Sequence, residues 1–338
     1  MTSQPDTQSE LDTSSLTGTR KGPYLSHNPV SRTQIWQWCC AMGDRNPLYL
    51  DTEYQQQQGI DKAIAPPAMM QMWTMRDVHM RYASGSTDAE PYEVMEVLSA
   101  HGFDSNVAVS YDMHFHRLLA EGDRVHLYNT IASVSELKTT ALGQGYFFVE
   151  HAQYFDQNDA LFAEAYITYF QYRAANTGSK QQAPAQATDA CAPAAGAVAP
   201  AFANIRRQDI TAGDELPALT IPITHKLIIA GALAGQDFVD VHHNAPAAVA
   251  AGMPDIFMNI LTTCGLCARY LTDWAGPGSR LQRMQLKLLA PNTPGDTMVL
   301  QGKVASITDA GPAANIEFAG KNSLGLHVAG SASLILTE

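Results

Sequence analysis

The feature that most constrains this chain is that its two halves repeat one another. Asp44 and Asp237 stand 193 positions apart, and without a gap the same offset pairs Asp51 with Asn244, Gly59 with Gly252 and Pro67 with Ile260. Further on, an offset of 173 pairs Gly122-Asp123 with Gly295-Asp296, and Ile131-Ala-Ser-Val134 with Val304-Ala-Ser-Ile307. In both halves helical patterns come first and strand patterns follow. Such order, repeated once, marks a duplicated unit. A sheet whose successive strands pair, curled round a helix, buries the apolar faces of both. The expected fold class is α+β: two such units side by side, each a long helix wrapped by an antiparallel sheet.

The repeat also sets the expected boundaries. Residues 1–21 are polar, rich in Ser, Thr and Gln, and read as a flexible tail. The first unit covers 22–174. Residues 175–205 are dominated by Ala, Pro, Gln and Ser, cannot build a core and read as a linker. The second unit covers 206–338. In the first, a helix opens on Ser31 and closes at Gly43, a short polar helix ends near Gly59, and another lies around 90–100. VAVSYDMHFH, RVHLYNTIASV, GQGYFFVEHAQYF and ALFAEAYITYFQYR follow with period two, as four long strands. In the second, helical turns run to Ala251 and an apolar helix runs from about Asp255 to Trp274. RMQLKLLA, TMVLQGKVASI, ANIEFAG and HVAGSASLIL then read as strands.

Charge and composition narrow the partners. A net charge of −12 repels nucleic-acid phosphates and acidic lipid. No apolar run reaches membrane-spanning length, and the first residues have neither the basic start nor the apolar core of a secretion signal. Cys39, Cys40, Cys191, Cys264 and Cys267 form no disulfide framework, so a reducing cytoplasmic compartment is expected. Cys264-Gly-Leu-Cys267 has no second Cys/His pair at zinc spacing and reads as two small core residues of one helix. No metal is expected.

Chemistry concentrates between Gly231 and Gly265. Asp237 precedes His242 by four intervening residues. A carboxylate and an imidazole so placed can hold one water: the carboxylate polarises it and the imidazole moves its proton. Ile260 lies just inside the apolar helix. A helix start presents backbone N–H groups that lack internal acceptors and can steady an oxyanion. Base, acid and oxyanion donor thus fall in one stretch. The first half keeps Asp44, but Tyr49 stands where the second has His242, and Pro67, which has no N–H, stands at Ile260's place. A phenol with a reference pKa of about 10 is a poor proton shuttle near neutrality. The second half is therefore expected to carry the reaction, and the first to lack a second working site.

These residues resemble a known family. Gly43-Asp-Arg-Asn-Pro-Leu-Tyr49 is similar to the G-D-x-N-P-x-H signature of MaoC-like, R-specific enoyl-CoA hydratases. Gln236-Asp-Phe-Val-Asp-Val-His242 keeps its Asp and His, with Val239 at the Asn position. IAPPAMMQMWTM and DVHHNAPAAVAAGMPDIFMNILTT resemble the two MaoC-type subunits of hydratases acting on cholesterol or bile-acid side chains, here fused. The resemblance implies a double hotdog fold, a water-adding site in one half, and a degenerate first half that shapes the acyl pocket and binds part of the CoA. At the helix start, Asn259-Ile260 replaces the family's His-Gly, and the backbone N–H of Ile260 supplies what the glycine would. A thiolase-like aldolase of the same pathway is the implied partner. In the actinobacterial form one subunit also carries a DUF35-type domain with no counterpart in this sequence.

The expectation is an enzyme that hydrates a 2-enoyl-CoA, carrying a steroid, in a homo-oligomer such as a dimer. Asp237 and His242 are catalytic and Ile260 N–H is the oxyanion donor. No cofactor is required, CoA being part of the substrate. Asn244, Asn259, Met70, Trp73 and Arg283 are the candidate substrate-binding residues. The Met and Trp residues of 69–75 read as core first and as a sterol-facing wall second. Arg283 reads as solvated, or as a contact to CoA phosphate. His243 reads as a surface neighbour, and His114 and His116 as structural. A hotdog thioesterase, or a non-catalytic acyl-CoA or steroid-binding subunit, are the rival readings.

Overall fold

A computed structural model describes residues 11, 13–174, 202–308 and 313–337. The linker expected at 175–205 lies outside the described residues as far as 201, and Cys191 with it. The first half contains β1 (Arg20–Leu25), α1 (Arg32–Met42), α2 (Pro47–Leu50), α3 (Thr52–Gln57), α4 (Glu93–Ala100), β2 (Ser105–Phe115), β3 (His126–Val134), β4 (Lys138–Thr140), β5 (Gly143–Phe155) and β6 (Leu161–Ala174). The second contains β7 (Glu215–Pro222), α5 (His225–Ala234), α6 (Ala245–Ala250), α7 (Ile260–Ala275), β8 (Arg280–Leu288), β9 (Thr297–Ile307), β10 (Ala313–Asn322) and β11 (Gly325–Ile335). Folded structure thus begins at or before Arg20, inside the polar N-terminal stretch.

The duplication is visible in backbone bonds. The N–H of Gly122 donates to Val30 O and that of Val30 to Asp123 O, both at 2.8 Å; Gly295 and Ile223 repeat the pair with Ile223 O and Asp296 O, again at 2.8 Å. α1 and α5 correspond, pack on one another, and open on side-chain caps from Ser31 and Thr224.

All strands join one antiparallel sheet ordered β1-β3-β5-β6-β2-β8-β11-β10-β9-β7, with β4 beside β5. The order of the second half mirrors that of the first. The halves meet where β2 pairs β8, with Met113 opposite Met284. Each half's sheet curves over a core, and one buried cluster runs through both.

The halves differ in what fills the sheet. α7 is buried round most of its circumference, and its one charged strip, Arg269 and Asp273, is paired at 3.0 Å, with Arg269 also bonded to Met42 O. It begins at Ile260, five residues later than the apolar pattern suggests, because the Asn259 side chain caps it there. The first half has no long helix. The expected one is replaced by two single 3-10 turns, Pro67–Met69 and Met72–Thr74, and the chain then runs on to α4. Helical spacing of Met residues describes their common burial, and Met69, Met70 and Met72 are all within 2 % exposure. α4 instead closes a small second cluster of Val94, Leu98, Phe103, Ile131, Tyr146 and Phe148. The same interior holds Glu150, 1 % exposed, which accepts from Tyr92 Oη (3.3 Å), Tyr169 Oη (3.1 Å) and Asn129 Nδ2. Burial pushes its carboxyl up to about 7. Among the described residues no helix is long and apolar enough to cross a membrane.

One glycine sets how closely α5 approaches the start of α7. A Cβ at Gly231 would meet Thr262 Cγ2 at 2.7 Å and Thr262 Cβ at 3.0 Å, so no rotamer of Thr262 clears it. Gly231→Val is expected to cost about 1–3 kcal/mol through overpacking. Urea unfolding checks this: an unchanged midpoint would show that the helices separate freely.

Candidate active site

Asp237 follows the end of α5, on a turn in which Gln236 adopts φ 54° and Asp237 N–H donates to Ala232 O at 2.9 Å. His242 closes the single 3-10 turn Asp240–His242 that comes next. Both side chains are nearly buried, at 7 % and 8 % exposure. His242 Nδ1 lies 2.7 Å from Phe257 O. A carbonyl only accepts, so Nδ1 carries the proton and the Nε2 lone pair is left to face Asp237 Oδ2, 3.6 Å away. The Phe257 ring meets the imidazole edge-on with centroids 5.0 Å apart. Tautomer and ring plane are thus set by groups behind the histidine, the arrangement a general base requires.

The start of α7 completes the group. Asn259 Nδ2 donates to Asp237 Oδ2 at 2.9 Å, and Asn259 Oδ1 accepts from Thr262 N at 2.9 Å. Ile260 is the first helical residue, so its N–H has no intrahelical acceptor and sits at the positive end of the helix dipole. A carboxylate, a base with a directed lone pair and an oxyanion donor therefore converge through one hydrogen-bonded residue. Among the described residues no three His, Cys, Asp or Glu side chains form a metal-binding group.

Of the other expected residues, Asn259 lies in the group itself, with one bond made at each end of its carboxamide and the second Nδ2 hydrogen left over. The rest fall elsewhere. Asn244 is exposed at the start of α6 and makes no side-chain cap there. Met70 and Trp73, each 2 % exposed, line a narrow pocket with about 10 Å³ of free space, with Pro67, Phe115, Leu119 and Phe162. That space suits a single water and not a ring system. Arg283 is committed to the seam between halves: its Nε and Nη2 bind Asp112 Oδ1 and Oδ2 at 2.8 and 2.6 Å, a bidentate pair that occupies the guanidinium expected to meet phosphate. His114 faces Asp112 (3.3 Å), His116 faces Glu164 (3.3 Å) and His243 faces Asp240 (3.6 Å). Cys264 and Cys267 are buried thiols, pushed up by that burial.

The corresponding place in the first half is built differently. Asp44 is 5 % exposed, accepts from Asn46 N at 2.9 Å, and is pushed by burial up to about 6. Tyr49 is 4 % exposed, and burial, with Asp44 near it, holds its phenol well above the ordinary range. Pro67 offers no N–H. With no base and no oxyanion donor, Asp44→Asn is expected to leave kcat/KM within a few-fold of wild type. A folded variant as impaired as one lacking the Asp237 carboxylate would show two working sites.

Comparison with known proteins finds relatives named as dehydratases and hydratases. Residues 15–165 match the family model described as FAS1-like, dehydratase domain region. Over 126 residues the chain is 40 % identical to the 3-oxo-4,17-pregnadiene-20-carboxyl-CoA hydratase beta subunit of Mycobacterium tuberculosis, covering 37 % of this chain and 96 % of that one. Over 167 residues it is 35 % identical to a protein of Thermomonospora curvata named "Probable enoyl-CoA hydratase alpha subunit", covering 48 % of this chain and 51 % of that one. The chain thus spans about half the length of that alpha subunit. A solved MaoC-like dehydratase superposes with TM-score 0.68 at 18 % identity, over 95 % of this chain and 99 % of that one. A Mycobacterium tuberculosis protein described as a double hotdog superposes with TM-score 0.61 at 14 % identity, over 95 % and 96 %.

Proposed function

Because the chain belongs to the MaoC-like enoyl-CoA hydratases of double hotdog fold, we propose that it adds water across the C2=C3 bond of a 2-enoyl-CoA thioester at Asp237 and His242. The observation that carries this reading is the directed pair itself: His242 Nε2 faces Asp237 Oδ2 at 3.6 Å, beside the open N–H of Ile260. A water within reach of both gives one hydrogen bond to the carboxylate and one to the imidazole. Its oxygen attacks C3 while His242 Nε2 takes the proton. The C2=C3 electron pair moves onto the thioester oxygen, where Ile260 N–H meets the negative charge. The proton held by the pair then passes to C2, the carbonyl re-forms, and Asp237 and His242 return to their starting state. One such donor is worth about 3–4 kcal/mol in the transition state.

The finer assignment is a steroid side-chain substrate. Its supports are the names of the M. tuberculosis relatives and the absence of a long helix from the first half, where two 3-10 turns rich in Met take its place. Met side chains repack readily, so this wall yields to a broad ligand more easily than a continuous helix would. We assign the two kinds of subunit named in those relatives to the two halves of this one chain, the first half receiving the acyl group. Association of further copies, and docking of an aldolase, belong to the same reading.

The test is incubation with a panel of enoyl-CoAs in H₂¹⁸O, with products analysed by mass. A gain of one labelled water with the thioester intact supports hydration. Release of free CoA instead would make the chain a thioesterase, and turnover of no thioester would leave a binding subunit.

A further inference from the structure

We propose that Asn259 is a positioning residue that locks the Asp237 carboxylate to the oxyanion end of α7, so that the acid–base pair and the Ile260 N–H are held as one unit. The inference rests on the hydration reading above for its kinetic consequences, and on geometry alone for its structural ones.

Asn259 is 2 % exposed and both ends of its carboxamide are used, at 2.9 Å to Thr262 N and 2.9 Å to Asp237 Oδ2. Capping a helix needs only the oxygen, and Ser, Asp and Asn supply it about equally well. The second bond needs a donor, which Asp lacks and which Ser's shorter side chain cannot offer while it caps. The amide is planar, so the bond to the helix fixes the direction of the bond to the carboxylate. No other side chain among the described residues donates to Asp237 within hydrogen-bond distance. From its own loop Asp237 Oδ1 receives only the N–H of Val239, at 3.4 Å, and Val239 has no polar side chain to add.

Asn259 is itself held from behind. Its carbonyl accepts from Thr263 N at 3.2 Å. Thr263 Oγ1 lies 2.9 Å from His327 Nε2, and His327 Nδ1 lies 2.7 Å from Ala290 O. The carbonyl fixes the proton on Nδ1, so Nε2 accepts from the Thr263 hydroxyl. His327 is 4 % exposed, and its burial favours the neutral imidazole that this chain of bonds requires. β11 therefore braces the helix start, and the loop carrying Asp237 closes on a fixed point.

Two variants keep the cap and remove the donor: Asn259→Ser and Asn259→Asp. Asn259→Ser is expected to keep a near wild-type thermal midpoint, whereas Asn259→Asp, which sets two buried carboxylates side by side, is expected to melt lower at neutral pH and to recover as the pH falls. Asn259→Ser should lower kcat at least about tenfold with KM little changed, the pattern of misplaced catalytic groups. Its crystal structure should show the Asp237 carboxylate turned from His242 while the first turn of α7 stays in place. Asn259→Asp sets a second carboxylate against Asp237 and should move the acid limb of the kcat/KM profile to higher pH, which loss of a cap alone would not do. An unmoved Asp237 in the Asn259→Ser structure, or wild-type kcat with an unmoved pH profile in folded Asn259→Asp, overturns the proposal. If the wild-type chain hydrates no enoyl-CoA, the hydratase reading falls separately, and the Asn259→Ser structure still decides whether Asn259 places the carboxylate. Should Asn259→Ser fail to fold, the near-isosteric Asn259→Asp supplies both the structure and the profile.

Discussion

Asp237→Asn and His242→Ala are each expected to lower kcat by about 10²-fold or more, the scale on which a positioned acid–base group acts. The two substitutions fail for different reasons. Asp237→Asn keeps the shape but replaces one oxygen of an acceptor-only group with a donor, so the water loses the partner that orients it. His242→Ala removes the only group aimed to take the proton, and it also leaves Phe257 O without its buried donor. That orphaned carbonyl costs about 1–3 kcal/mol of stability, so the alanine variant should unfold at lower temperature than the asparagine one. His242→Asn serves as the control, since its Nδ2 stands where Nδ1 stood and can still donate to Phe257 O while lacking a titratable lone pair. Initial rates of hydration, with thermal unfolding on the same samples, check all three. A folded Asp237→Asn or His242→Ala with near-full turnover would sink the assignment of the pair.

A steroid enoyl-CoA is expected to be hydrated with kcat/KM well over tenfold above that of crotonyl-CoA or a mid-length linear enoyl-CoA. A single methylene contact supplies only about 1–3 kcal/mol, or tenfold and upward, and a fused ring system makes several. The opposing cost is that the pocket beside Met70 and Trp73 has about 10 Å³ of free space, so a ring system must displace side chains there. Met rotamers and a segment of single 3-10 turns make that displacement small. The ratio of kcat/KM values across one panel, at fixed enzyme and pH, checks the prediction. Equal efficiency on short linear substrates would refute the steroid assignment and leave a general hydratase of this family.

Much of the fold was legible because duplication and strand period are local signals. The offset of 193 places α1 on α5 and α3 on α6, and period two marks the eight long strands of the two halves. The edge strands β1 and β7 escaped that reading. Both are short and contain proline, Pro23 in one and Pro217 and Pro222 in the other, which only sheet edges tolerate. The site was legible as far as its chemistry is carried by side-chain type: Asp237, His242 and the helix start at Ile260 are neighbours in sequence.

What the sequence by itself determined is therefore the repeat, the sheet and the candidate acid–base pair, since each is written in residue types at short spacing. Only the tertiary structure decided the rest. It replaced the first half's long helix with 3-10 turns, because packing of Pro67–Met69 on α7 and the bond from Tyr111 to Gln71 outweigh the helix propensity of the Met residues. It took Arg283 from phosphate and gave it to Asp112, because β2 and β8, far apart in the chain, pair at that register. And it joined Asn259 to Asp237 and braced it through His327, a bond direction that depends on how α7 lies in the sheet and that no spacing of residues encodes.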